Sequence, residues 1–349
     1  MMHMADALIS PVVGGTLWAV SAAVTYSCAK KAGTDFPEQK IPLMGVLGAF
    51  VFAAQMINFA IPGTGSSGHL GGGMLLSVLL GPQAGFLVMA SILTIQALLF
   101  ADGGLLALGC NIFNLAFFPC FLAYPLVYRT VAGTDPSRIR LAVGVTLGTV
   151  FGLQLGALGV VAETIASGIT ELPFQTFALF MLPINLVIGL VEGAVTTVVL
   201  WYVRQEAPGL FSAHSRGNAT SAPSVRRIAL ILVTVAVITA GILSWFASPK
   251  PDGLEWSVLK TSGKEDVDNS SAVHALAASW QGEIALFADY RVAIFGSADK
   301  QAVKQEEPRS WPAVSEGRSA AGLLGSALTL VVAGAVGAGC HVLAKRNAP

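Results

Sequence analysis

Charge is what this sequence has least of. Twenty Lys/Arg and 20 Asp/Glu occur among 349 residues, so 11% of the chain is charged, against about 25% in a soluble domain. The two signs cancel to a net +0, which leaves no basic footprint for nucleic acid. Cysteine is scarce as well. Cys28, Cys110, Cys120 and Cys340 stand singly in apolar runs and form no CxxC pair, so neither a cysteine zinc site nor a disulfide framework is indicated. Small thiols packed between helices are expected instead. A phosphate-binding G-x-x-x-x-G-K-[ST] loop is missing: Ser262-Gly263-Lys264 lacks the upstream glycine at the required distance. This chain alone is therefore not expected to hydrolyse ATP. The first residues carry no positively charged region of the kind a cleavable signal peptide needs, and no repeat of solenoid length is apparent.

What fills the space is apolar. Hydrophobic residues make up 54% of the chain and mean hydropathy is +0.69. The apolar runs are 8–29, 41–61, 74–80, 84–100, 105–128, 141–166, 174–203, 228–246 and 320–343. Spans of roughly 17–25 residues fit a bilayer, so the pattern predicts about nine crossings with 74–80 as one short, broken segment. The expected fold class is an all-α integral membrane protein. Its parts are a seven-span body over 1–205, a polar linker over 206–227, and a region over 228–349 whose two spans flank an external segment, 247–318.

Basic residues set the orientation. Lys30, Lys31, Lys40, Arg129, Arg138, Arg140, Arg204, Arg216, Arg226, Arg227, Lys345 and Arg346 all fall on one side of this topology. The other eight of the 20 lie in the long segment 247–318, which can translocate whatever its charge. The short loops on that side carry acids instead: Asp6, Asp102, Glu163 and Glu171. The N-terminus is then external and the C-terminus cytoplasmic, in a multi-pass protein of the cell (inner) membrane.

Two histidines on the external side point to metal chemistry. A free α-amino group, backbone amides and an early histidine close small chelate rings, and flat nitrogen arrays suit Ni(II) or Cu(II). If Met1 is retained, Met1-Met2-His3 supplies four nitrogens. If the chain begins at Met2, three come from the terminus and His69 is the candidate fourth. His69 follows Gly63-Thr64-Gly65-Ser66-Ser67-Gly68, which formally matches a dinucleotide fingerprint. That motif here follows a membrane span rather than a strand of a βαβ unit, so the nucleotide reading fails. Its glycines are better suited to folding an external loop tightly over the terminus. Taken singly, either histidine reads as an ordinary loop or terminal residue.

Gln96, Asn111, Asn114 and Glu192 are polar groups inside otherwise apolar runs. Such groups either bond helix to helix or serve a site. Glu192 is the one ionisable residue placed in the middle of a span.

The sequence resembles the substrate-binding membrane subunit of energy-coupling-factor nickel/cobalt transporters, the NikM/CbiM family, fused to its small two-span N-type partner. The resemblance is carried by Met2-His3-Met4-Ala5-Asp6-Ala7-Leu8, Gly65-Ser66-Ser67-Gly68-His69-Leu70 and Gln96-Ala97-Leu98-Leu99-Phe100-Ala101-Asp102-Gly103-Gly104-Leu105. Gly109-Cys110-Asn111-Ile112-Phe113-Asn114 and Ile188-Gly189-Leu190-Val191-Glu192-Gly193 extend it, and Pro251-Asp252-Gly253-Leu254-Glu255-Trp256 resembles the N-type signature. The resemblance implies a square-planar nitrogen site formed by Met2, His3 and His69, with Met1 taking part if it is retained as the terminus. The extra Met1 departs from the family pattern, and so does Asn185, where a histidine is expected. The resemblance further implies a coupling transmembrane subunit of the Q/T type and cytoplasmic ATPase subunits of the O/A type as partners.

The expected function is capture of Ni²⁺ or Co²⁺ as transported substrate, with no organic cofactor. Asp6 or Asp102 is the candidate to orient an imidazole, and Gln96, Asn111 and Asn114 are candidates to support the ligands. The alternative is an ATP-independent secondary transporter or channel that uses Glu192 and the broken 74–80 segment. Against it, no inverted repeat relates the two halves. An enzymatic role finds no nucleophile or ligand cluster near His214 or His274.

Overall fold

A computed structural model describes residues 3–35, 41–211, 222–263, 271–290 and 311–347. The body comprises α1 (Pro11–Asp35), α2 (Ile41–Gln55), α3 (Gly73–Leu80) and α4 (Pro82–Leu99). It continues with α5 (Leu108–Ala132), α6 (Arg138–Ser167) and α7 (Phe174–Glu206). Next come α8 (Ala222–Gly241), the two short helices α9 (Gly253–Ser262) and α10 (Ala272–Ile284), and α11 (Glu316–Asn347). Among the described residues, seven helices are long and apolar enough to cross a membrane: α1, α4, α5, α6, α7, α8 and α11. The protein is an all-α, multi-pass membrane protein. Within the body, five of the seven apolar runs form long helices, and the other two form the shorter α2 and α3.

Local chemistry explains the boundaries. The run that begins α2 stays apolar to Ile61, yet the helix stops at Gln55. The chain then makes a two-residue hairpin, β1 (Phe59–Ala60) pairing antiparallel with β2 (Ser67–Gly68). Gly63 and Gly65 sit at φ +78° and +84° in its turn, where a Cβ is disfavoured. α3 breaks from α4 at Gly81, and Pro82 opens α4, a position where its missing N–H costs nothing. α5 takes π-type bonding from Phe113 to Tyr128, with Pro119 and Pro125 inside, since each proline removes a backbone donor.

Two glycines let α7 lie directly on α6. A Cβ on Gly189 would come within 3.0 Å of the Val150 Cα, and one on Gly193 within 2.8 Å of the Thr146 Cα. Large apolar side chains such as Leu179, Val198, Leu230 and Val331 remain exposed on the long helices, as lipid-facing positions require. The four cysteines are free and buried. Glu163 differs from the expectation of an external loop: it lies in the last turns of α6, buried, and accepts from Asn114 Nδ2 at 2.8 Å.

Candidate metal centre

The first described residues form a strap laid across the loop between α4 and α5. Met4 donates its N–H to Asn111 Oδ1 at 2.7 Å. The Met4 carbonyl accepts from Asn111 Nδ2 at 3.2 Å and from the Gly104 N–H at 2.9 Å. The Asp6 carboxylate accepts from the Ala107 N–H at 2.9 Å. Burial raises the Asp6 carboxyl above its usual range, and backbone N–H groups at Ala107 and Leu106 partly oppose this. Asp6 thus ties down the strap rather than orienting an imidazole. His274, on α10, is buried, and its Nε2 donates to the Ile9 carbonyl at 2.9 Å.

This strap and the hairpin loop bring the two histidines together. His3 and His69 are both buried, with ring centroids 5.3 Å apart and planes tilted by 53°. His3 Nδ1 lies 2.7 Å from Asp102 Oδ1. A carboxylate can only accept, so Nδ1 carries a proton; in the neutral ring Nε2 then keeps its lone pair. That Nε2 is buried without a hydrogen-bond partner. His69 Nδ1 lies 3.1 Å from the Leu70 carbonyl oxygen, again an obligate acceptor, so His69 Nε2 keeps its lone pair too. Burial holds the His69 imidazole well below its ordinary value of 6.5, and positive charge nearby adds to this. A neutral imidazole is the form that binds metals. Burial alone would raise the Asp102 carboxyl. Its pairing and hydrogen bond with His3, together with the Tyr290 hydroxyl, hold it well below the usual carboxylate range.

A hydrogen-bond chain links the supports of the two histidines. Tyr290 donates to Asp102 Oδ2 at 2.6 Å and accepts from Gln96 Nε2 at 3.3 Å. Gln96 Nε2 also donates to Gln55 Oε1 at 2.9 Å, and Gln55 Nε2 donates to the Gly71 carbonyl at 2.8 Å. The Gly71 and Gly72 N–H groups donate to Glu192 Oε2 and Oε1 at 2.5 and 2.9 Å. Asn114 stands apart from this chain, beneath Met4, with its Nδ2 3.9 Å from the Met4 sulfur. A cavity of about 580 Å³ opens over the histidines, with His3, His69, Asp102, Asp252, Glu255 and Tyr290 in its wall. Among the described residues, no three His, Cys, Asp or Glu side chains converge closely enough to hold an ion. Met1 and Met2, which the sequence reading adds to the ligands, lie outside the described residues.

The sequence pattern described as "Cobalt uptake substrate-specific transmembrane region" matches residues 3–210. The chain belongs to that family. A second pattern, the PDGLE domain, matches residues 226–341. A relative from Lactiplantibacillus plantarum, the "Probable fused nickel transport protein LarMN", is 32% identical over 84% of this chain and 89% of its own length. The "Putative fused nickel transport protein NikMN" of Archaeoglobus fulgidus is 35% identical over 68% of this chain and 75% of its own. A crystal structure described as that of a transition metal transporter aligns with a TM-score of 0.51 at 31% identity, covering 58% of this chain and 93% of that one.

Within this cobalt-uptake family member, the PDGLE stretch that gives the second domain its name does structural work. Asp252 caps α9 by accepting from the Leu254 and Glu255 N–H groups, and Glu255 returns a bond to the Asp252 N–H. The preceding carbonyls of Lys250 and Pro251 accept from Ser67, through its hydroxyl and N–H respectively, at 2.8 Å each. The second domain is thereby fastened to the strand that leads into His69. Sequence reading missed Gln55, Tyr290 and the bond from His274. Gln55 carries the same signal as Gln96, an amide inside an apolar run. Tyr290 carries no local signal at all.

Proposed function

We propose that this protein is the substrate-capture component of an ATP-driven energy-coupling-factor importer for Ni²⁺ or Co²⁺. The carrying observation is the pair of buried imidazoles with ring centroids 5.3 Å apart. An ion bonded at about 2 Å to a nitrogen of each ring can bridge that separation. His3 and His69 then act as ligands, with the amine and amide of a chain beginning at Met2 completing a flat four-nitrogen set suited to the d⁸ nickel ion. The His3 amide can share a chelate ring only with Nδ1 of its own side chain. A flat set that uses the His3 amide would therefore take Nδ1 as its ligand atom and leave Nε2–H for Asp102 to hold. Asp102 is the orienting carboxylate, and Asn111 and Gln96 support the strap and the orienting chain.

The same reading places the cavity outside the cell and the C-terminus in the cytoplasm. It also makes 206–227 a joint between a metal-binding domain, 1–205, and an N-type domain, 228–349. A coupling transmembrane subunit and two ATPase subunits supply the drive. Reconstitution tests this: vesicles holding this chain alone should not accumulate ⁶³Ni, and adding the coupling and ATPase subunits with ATP should start uptake. Uptake without them would establish the secondary-transport alternative. Both Glu192 oxygens accept backbone N–H groups, which favours a holding role over an open proton path.

A further inference from the structure

We propose that Glu192, in the middle of α7, is a positioning residue for the metal site. This rests on the reading of His3 and His69 as ligands. The first turn of a helix leaves N–H groups without intrahelical partners. At the start of α3 the capping position is Gly72, at φ +84° and without a side chain to accept. The N–H groups of Gly72 at the cap and of Gly71 just before it are met from 120 residues away, by the two oxygens of the Glu192 carboxylate. Glu192 is 2% exposed, so its carboxylate is buried with the groups it holds. The Gly71 carbonyl is held in turn by Gln55, and the Leu70 carbonyl receives His69 Nδ1. Glu192 thus stands two residues from the ligand and fixes the peptide that follows it.

The setting of Glu192 makes it a rigid post. Gly189 and Gly193 on either side bring α7 against the backbone of α6 at Val150 and Thr146, so the carboxylate cannot follow a loop that drifts. Upstream, the Ser67 N–H is tied to the Pro251 carbonyl. His69 therefore sits on a short bridge anchored at one end by the external domain and at the other by a membrane helix. Ligand atoms must be held to within about 0.5 Å for a defined coordination geometry, and this bridge is built to do that. The spacing Gly189-Leu190-Val191-Glu192-Gly193 then has a single account: two glycines for close packing, and one acid for the loop.

The test uses the full-length protein in detergent, titrated with Ni(II) alone. Readouts are the Kd, the visible absorption of the nickel adduct, and the metal-free Tm. Glu192→Gln keeps the shape and one acceptor oxygen but turns an NH₂ toward the second N–H. It should weaken nickel binding by about ten- to hundredfold, the range for losing a hydrogen bond to a charged group, and shift the nickel absorption bands. Glu192→Ala should do more; if it fails to fold, the Gln variant decides. A Gln variant that loses Tm but binds nickel with wild-type affinity and spectrum marks a purely structural role and overturns the proposal. His69→Ala is titrated alongside: if it keeps wild-type affinity, the ligand reading itself falls. If it fails to bind while Glu192→Gln is unchanged, only the role of Glu192 falls.

Discussion

Tyr290 donates its hydroxyl to Asp102 across 188 residues of sequence, at 2.6 Å. Asp102 in turn holds His3, so one hydroxyl of the PDGLE domain reaches the first candidate ligand through a single carboxylate. Removing it should be felt at the metal. Tyr290→Phe keeps the ring, which packs on Phe100 and Phe52 with centroids 4.9 and 6.3 Å away. Nickel affinity should fall by about tenfold, the lower end for losing a group that supports a ligand, with the Tm little changed. A wild-type Kd in this variant would show that Asp102 needs no help.

The PDGLE domain is expected to assist the site rather than hold the metal. Of the imidazoles in 247–318, His274 stands alone, and it is engaged by Ile9. A chain truncated after Gln205 should still bind one nickel per molecule, at an affinity reduced at least as far as in Tyr290→Phe. Equilibrium dialysis with ⁶³Ni on folded, monodisperse protein measures this. Loss of stoichiometric binding would move the site into the PDGLE domain.

The two histidines should prove unequal to any substitute. If the mature chain begins at Met2, His3→Ala and His69→Ala should each lower nickel affinity by more than the ten- to hundredfold typical of a supporting group. Adding residues ahead of Met2 should do the same by displacing the amine. Intact mass fixes the terminus, and titration of each variant fixes the cost. If Met1 is retained, the terminal tripeptide can fill the plane by itself, and His69→Ala should leave nickel bound.

Affinity should weaken as pH falls, because metal and protons compete for the same nitrogens. The His69 imidazole is held well below 6.5, so it is already neutral near pH 7 and does not begin the decline. A terminal amine of about 7.7–8.0 does, and the fall should start near pH 8. The sign for the metal-free fold is the same. An unfolded chain takes up a proton on His69 near its ordinary value while the folded one resists, so stability drops as pH falls through about 6.5. Flat affinity from about pH 8 to 5, where amine and imidazole titrate, would count against both as ligands.

Gly104 should tolerate no side chain. A Cβ there would collide with the Asp6 carboxylate and backbone nitrogen, pushing the strap off its seat on Asn111. Gly104→Ala should cost about 1–3 kcal/mol of stability, as overpacking does, and should weaken nickel binding further by moving His3. Thermal melts with and without nickel separate the two effects. A variant with unaltered nickel stabilisation would show that the strap can shift without disturbing the ligand.

Much was readable along the chain because it depends on near neighbours or on composition alone. A charged fraction of 11% cannot cover a soluble surface, so embedding in lipid followed directly. The break at Gly81-Pro82 and the tight turn at Gly63 and Gly65 follow from backbone sterics at those residues. The D-x-x-E spacing of Asp252 and Glu255 is a local cap signal of the same kind. Tertiary structure alone decided which acid meets which partner. Asp6 and Asp102 are equivalent to a sequence reader, yet one binds the Ala107 backbone and the other His3. Glu163 reads as a loop acid, and packing places it inside α6 against Asn114. Gln55, Gln96, Tyr290 and Glu192 become one hydrogen-bonded support only when helices and loops far apart in sequence pack together. Such bonds are short-ranged and directional, so their partners are set by how those elements dock, and no local pattern of residues encodes that.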